Sequence, residues 1–192
     1  MRIMRNFTRR CHSGVGVAAV VLVLALMLAP AAMAADAPRY GGTLNFAVPK
    51  DPPSFDGHRE TTFALIHPVA PHYSLLLKFD QWNYPKVVGD VAESWKISKD
   101  GKTYTFKIRK GIKFHDGSLL TARDVKATYD KIISPPPGVV SARKGSYVMV
   151  KSVEAPNDRT VVFRLKWAAP SFLANLASPW NFIYKADILA KD

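Results

Sequence analysis

Residues Val91–Val125 read VAESWKISKDGKTYTFKIRKGIKFHDGSLLTARDV. Asp100-Gly101 is a hairpin-turn signal, because a type I′ turn needs positive φ and glycine supplies it without steric cost. On the outgoing side Tyr104, Phe106 and Ile108 alternate with Thr105, Lys107 and Arg109. A period of two predicts a strand with one packed and one wet face. Further on, Thr121-Ala122-Arg123-Asp124 has capping-box spacing, and Val125, Tyr129, Ile132 and Ile133 follow at helical spacing until Pro135-Pro136-Pro137. A helix capped at Thr121 and stopped by the prolines is expected.

Between strand and helix, His115, Asp116 and Ser118 bring the three side-chain types of a hydrolytic triad within four positions. Asp116-Gly117 is also an ordinary tight-turn pair. Neighbouring residues on a turn diverge, whereas a triad needs an imidazole bridging nucleophile and carboxylate. No G-x-S-x-G elbow occurs in the chain, and the stretch is read as a structural turn. A glycosidase reading has no support either: Glu60, Glu93 and Glu154 sit in unrelated contexts, and no carboxylate pair is signalled. The protein is not expected to be an enzyme.

Outward from this segment, Val150 and Val153 lead through Pro156-Asn157-Asp158 to Val161, Phe163, Leu165 and Trp167 at spacing two, a second hairpin. Upstream, Leu44, Phe46 and Val48 predict a half-buried first strand over TLNFAV, and the prolines of PKDPPSFDGH, residues 49–58, force a loop after it. Phe63, Ile66, Ala70, Tyr73 and Leu77 recur at helical spacing, interrupted by Pro68 and Pro71. Each proline costs about 3 kcal/mol inside a helix, so a broken helix is expected, firm from Pro71 to Lys78. No repeat or low-complexity tract is found.

The N-terminus has an export pattern. Arg2, Arg5, Arg9 and Arg10 precede an apolar run from Val15 to Leu28, and Ala32-Met33-Ala34 fits a small-x-small cleavage site. The run is shorter than the roughly 18 to 20 residues of a membrane span. Residues 1–34 are therefore expected to be a signal peptide cleaved near Ala34, with a periplasmic mature chain. The single cysteine, Cys11, precedes the apolar run and is not placed to carry a lipid. The mature part then has no disulfide, thiolate or cysteine metal site. Residues 1–34 hold four arginines and no acid, so the formal charge of +12 falls to +8 without them. The remaining Lys and Arg are dispersed, the pattern of a solvated face rather than a nucleic-acid stripe. The C-terminal NFIYKADILAKD ends inside a new helix, and the chain reads as cut short.

Several elements of Val91–Val125 coincide in order with the signature region of the peptide/nickel-type extracytoplasmic solute-binding proteins, the receptors of ABC importers. These are Ala92-Glu93-Ser94-Trp95, Asp100-Gly101, Tyr104-Thr105-Phe106, Arg109-Lys110-Gly111, Phe114-His115-Asp116-Gly117 and Thr121-Ala122-Arg123-Asp124-Val125. Gly41-Gly42-Thr43-Leu44 resembles the first strand of those receptors, and Pro170-Ser171-Phe172-Leu173-Ala174-Asn175-Leu176 the helix after their second hairpin. The resemblance implies an α/β, type II periplasmic-binding-protein-like fold, present in part: the first strand of lobe one plus a mixed α/β subdomain with β-hairpins. Residues 35–192 would be the N-terminal part of the solute-binding domain, with the second lobe beyond Asp192. The implied activity is capture of a peptide or peptide-like solute and its delivery to an ABC permease complex in the inner membrane, without cofactor or nucleic acid.

Two alternatives within reach are a nickel- or haem-binding receptor of the same family and a secreted, non-catalytic interaction module. For the metal reading His58, His67, His72 and His115 are the available imidazoles, but His67 and His72 are five apart and straddle Pro71, unlike an i, i+4 pair; no metal site is expected. Ligands of open α/β sheets gather where loops leave strand ends. That places the candidate ligand contacts at Phe55, Asp56 and His58 on the proline-stiffened loop, and at Trp180, Asn181 and Tyr184 near the return to lobe one.

Overall fold

The structure, a computed structural model, describes residues 40–43 and 45–191. The expected signal peptide lies outside the described residues. The chain divides into two compact units, residues 1–45 and 46–192. In the first, residues 40–43 and 45 carry no helix or strand.

In the second unit the elements run α1 (Phe63–Val69), β1 (Leu77–Phe79), β2 (Val87–Gly89), β3 (Ala92–Ile97), β4 (Thr103–Ile108), α2 (Ala122–Ile133), β5 (Val150–Asn157), β6 (Thr160–Leu165), α3 (Phe172–Leu176) and α4 (Ala186–Leu189). β1 and β2 form a small antiparallel pair, and the other four strands make an antiparallel sheet in the order β3-β4-β6-β5.

The two expected hairpins build this sheet. Tyr104 pairs with Phe163 and Phe106 with Val161, and Tyr104, Phe106, Ile108, Val161, Phe163 and Leu165 are all buried. The matching period-two patterns thus put both strands' apolar residues on one face. α2 covers that face through Val125, Tyr129 and Ile132, with the Tyr129 and Phe163 rings edge to face at 5.0 Å. The opposite face is polar: Glu93 pairs with Lys107 at 3.3 Å and Arg159 at 3.0 Å, and Glu154 with Arg164 at 2.8 Å.

The cap of α2 forms as expected. Thr121 and Asp124 make a reciprocal capping box. Asp124 is also buried and accepts the Ala186 N–H at 2.9 Å. One carboxylate thereby satisfies donors at the starts of α2 and α4, which ties the two helices together.

Four local expectations are corrected. Residues 45–48 form no strand, and Phe46 is 64% exposed; among the described residues no neighbour supplies the ladder that a strand's backbone needs. The firm helix is Phe63–Val69, containing Pro68, and it lies before Pro71 rather than after it. Pro71 lies in a single 3-10 turn, Ala70–His72, after which Tyr73 is extended. Leu75, Leu76 and Leu77 are then buried outside any helix, with Leu77 opening β1, so tertiary packing outweighs the helical spacing. Gly101 has positive φ, 66°. However, its N–H bonds the Ser98 carbonyl at 2.9 Å, so the turn centres on Lys99-Asp100 with the left-handed glycine after it. Finally, β6 stops at Leu165 and Trp167 is 49% exposed, because Val150, at the start of β5, is the last strand residue paired with it.

Candidate functional site

The loop 49–60 is shaped by its own side chains. The Asp56 carbonyl accepts Arg59 N and Glu60 N, its Oδ1 accepts the His58 N–H at 2.9 Å, and Ser54 Oγ donates to Glu60 Oε1 at 2.7 Å. This turn sends neighbouring side chains in opposite directions: Phe55 is 71% exposed and His58 1%.

His58 Nε2 lies 2.8 Å from the Phe182 carbonyl. A carbonyl only accepts, so Nε2 carries the proton, and Nδ1 has no partner among the described residues. Burial lowers the imidazole pKa to about 4; the Phe182 carbonyl and Asp56 pull it back up, and Lys131 pushes it down. His58 is therefore neutral at pH 7, and it clamps the loop to the segment 181–184.

A second clamp is the Tyr184 hydroxyl, which accepts the Gly57 N–H at 3.0 Å. Burial pushes its phenol pKa up. Gly57 is required by close approach, since a Cβ there would sit 2.3 Å from Phe182 Cδ2.

Above these clamps opens a cleft of about 860 Å³. Phe55, Asp56 and Arg59 line one side and Tyr73 and Tyr184 another, the two tyrosine rings meeting edge to face at 5.1 Å. Ile188 and Leu189 from α4, Val139 and Val140 from the segment after α2, and Phe114 add apolar surface. At the rim Lys185 Nζ bonds Asp116 Oδ2 at 2.6 Å. With Ser118 also donating, this holds the Asp116 carboxyl well below the usual carboxylate range and raises Lys185. Lys131, itself buried, faces Asp56 at 3.6 Å.

The His115-Asp116-Gly117 segment is a turn. Gly117 has φ 82° and donates its N–H to the Phe114 carbonyl. Ser118 Oγ bonds Asp116 Oδ1 at 2.6 Å, while the His115 ring packs on Tyr73 at 5.8 Å. Among the described residues no hydrogen bond joins His115 to Ser118 or Asp116, so the three do not form a nucleophile–base–acid chain. Nor do the described residues contain a cluster of three His, Cys, Asp or Glu suited to a metal ion.

Of the six candidate contacts, the cleft brings together Phe55, Asp56 and Tyr184. His58 and Asn181 are buried and do not line it. Asn181 Nδ2 donates to Tyr147 Oη and to the Asn175 carbonyl, each at 2.8 Å, a tie within the fold. Trp180 lies elsewhere, beneath the Arg143 guanidinium at 4.7 Å. The cleft also uses Arg59, Tyr73, His115, Lys131, Lys185 and Ile188, none of them chosen from sequence as ligand contacts. By sequence Tyr73 falls in a helix and His115 in a turn. The others carried no local signal.

The model of the family described as "Bacterial extracellular solute-binding proteins, family 5 Middle" matches residues 86–192. The chain belongs to this family. As a family 5 solute-binding protein it is 35% identical over 166 residues to the oligopeptide-binding protein AppA of Bacillus subtilis, covering 81% of this chain and 30% of AppA. It is 29% identical over 185 residues to di/tripeptide-binding protein 1 of Pseudomonas aeruginosa, covering 88% of this chain and 34% of that protein. This family 5 chain thus spans about a third of the length of the curated relatives it matches.

The structure of AppA in complex with a nonapeptide superposes with a TM-score of 0.65 at 36% identity over 73% of this chain and 27% of AppA. That of AgaA from A. tumefaciens in complex with agropinic acid gives 0.67 at 27% identity, over 73% and 28%. The described residues accordingly carry part of the type II periplasmic-binding-protein fold.

Proposed function

We propose that this chain supplies one wall of the solute site of an ABC-importer receptor, which captures a peptide or peptide-like solute and delivers it to a membrane permease. One observation carries the reading: a cleft of about 860 Å³, of small-molecule size and mostly apolar with a few placed polar groups, built on a loop clamped at both His58 and Gly57. The relatives bind a nonapeptide and agropinic acid, which supports solutes with a peptide-like backbone or an opine character. The role is capture rather than chemistry: the solute shifts an open–closed equilibrium by its differential affinity for the closed form. Residues 1–34 would direct export to the periplasm and be removed near Ala34, and residues 35–192 would then form the N-terminal part of the solute-binding domain.

Phe55 and Tyr184 are the proposed contacts with the solute, Phe55 because it is exposed on a stiff loop and Tyr184 because its protonated hydroxyl stands beside the cleft. Asp56 shapes the loop and balances Lys131, while His58 and Asn181 support the site from beneath, and Trp180 braces its own segment against Arg143. Calorimetry of the whole exported protein against di- to nonapeptides and opines tests the reading. Phe55→Ala is expected to weaken binding about tenfold; binding of the best solute unchanged in folded Phe55→Ala removes this loop from the site.

A further inference from the structure

Lysines that are dispersed along the sequence are gathered by the sheet. β3 and β6 end, and β4 and β5 begin, at the same end of it: Ile97 pairs with Tyr104 and Val150 with Leu165. The Leu165 N–H bonds the Lys102 carbonyl at 2.7 Å, and the Lys166 N–H the Met149 carbonyl at 2.8 Å. Lys96, Lys99, Lys102, Lys151 and Lys166 are thereby brought to this end, all of them exposed. Acids do little to offset them. Asp100 is the acid of the turn, where its Oδ1 accepts the Lys102 N–H, and Glu154 is committed to Arg164. Lys96, Lys99 and Lys151 make no ion pair or side-chain hydrogen bond among the described residues. Apolar side chains stand among these charges: Ile97, Val148 and Trp167 are 46%, 55% and 49% exposed. Ile97 and Trp167 adjoin Lys96 and Lys166 in the chain, and Lys166 Nζ bonds the Val148 carbonyl at 3.0 Å. Lysine stems lie along apolar surface while their ammonium groups reach anions, and tryptophan settles where a membrane meets water. A protein partner is held by anchors in shaped, desolvated pockets. Flexible cations around separate apolar side chains suit instead a fluid surface that is negative throughout.

We infer that this end of the four-stranded sheet docks on an anionic phospholipid surface, with the lysines over the phosphates and Ile97, Val148 and Trp167 at headgroup level. The inference stands apart from the solute-capture reading, because none of these residues lines the cleft. Each lysine brought to such a surface is worth about fivefold in affinity, and the attraction fades as salt shortens its range.

The test is cosedimentation of the whole exported protein with vesicles of phosphatidylglycerol and phosphatidylcholine in equal parts, against vesicles of phosphatidylcholine alone. Wild type is expected to bind the first and not the second, and to be released as salt is raised to about 0.5 M. The double variant Lys99→Gln/Lys102→Gln should bind about 25-fold more weakly. Lys96→Gln/Lys151→Gln should lose as much, and it serves as the second pair should the first not fold. Lys110→Gln/Lys113→Gln removes the same charge beyond the far end of β4 and should change binding little. Comparison of these pairs cancels whatever else in the chain meets lipid. No binding to the phosphatidylglycerol vesicles at low salt overturns the inference and leaves the surface to an acidic protein. Equal binding to both kinds of vesicle overturns it too, as does undiminished binding in the variants of the sheet end. An equal loss in Lys110→Gln/Lys113→Gln does the same, since net charge rather than this surface would then be responsible. Each of these failures leaves the capture reading standing.

Discussion

His58 makes the stability of this protein depend on pH in a way that can be calculated. The imidazole is neutral in the fold with its pKa lowered to about 4 from 6.5, first because it is buried, and among the described residues no acceptor stands by Nδ1 for the N–H that a second proton would create. The unfolded chain takes up that proton near its ordinary value, so below it the unfolded state binds more protons than the native state. Stability contributed by neutral His58 is fully present above pH 6.5 and is lost as pH falls toward 4.

Each pH unit in this window is worth about 1.4 kcal/mol, which gives about 2 kcal/mol lost at roughly pH 5 and about 3 kcal/mol over the whole window. Against a typical total of about 5 to 15 kcal/mol this is readily measured. Urea unfolding of wild type and of the non-titrating His58→Gln, at about pH 7.5 and about pH 5, isolates the effect, because every other group titrates in both proteins. Wild type should lose about 2 kcal/mol more than His58→Gln between the two conditions. Parallel losses in the two proteins would refute the assignment of His58 as a buried neutral clamp.

Other substitutions probe the supports of the site. Gly57→Ala forces a methyl into the buried Phe182 ring and should cost about 1 to 3 kcal/mol in urea unfolding. Asp124→Ala leaves the Ala186 N–H and the Thr121 cap without their acceptor and should destabilise by about 2 kcal/mol, read as a lower midpoint with unchanged slope. Gly101→Val places a β-branched residue at φ 66°, with its Cβ 3.1 Å from that of Ala168. It should cost about 1 kcal/mol or more in a thermal melt.

The two hairpins and α2 were legible because their signals are local. A turn glycine, a period of two, a capping box and a proline stop each act within a few residues, and the sheet register then follows from keeping Tyr104, Phe106, Val161 and Phe163 on one face. The same local logic failed where a distant partner decides. The run from Phe63 to Leu77 has helical spacing throughout, yet after the turn at Ala70–His72 it is not helical, with Leu75 and Leu76 accepting backbone bonds from Val91 and Ala92. Phe46 alternates as a strand residue should, but no strand pairs with it among the described residues.

From sequence alone came the family resemblance, the structural rather than catalytic nature of His115-Asp116-Gly117, and the loop at residues 49–58 that lines the cleft through Phe55 and Asp56. Only the tertiary structure decided which of that loop's side chains meet the cleft. An irregular loop has no period to assign a face, and the groups that fix its orientation are the Phe182 carbonyl and the Tyr184 hydroxyl, 124 and 127 residues along the chain from the atoms they hold. Those contacts turn His58 inward and leave Phe55 and Arg59 outside. Which side chain of the loop meets the cleft is thus a consequence of packing across the fold, which no local pattern encodes.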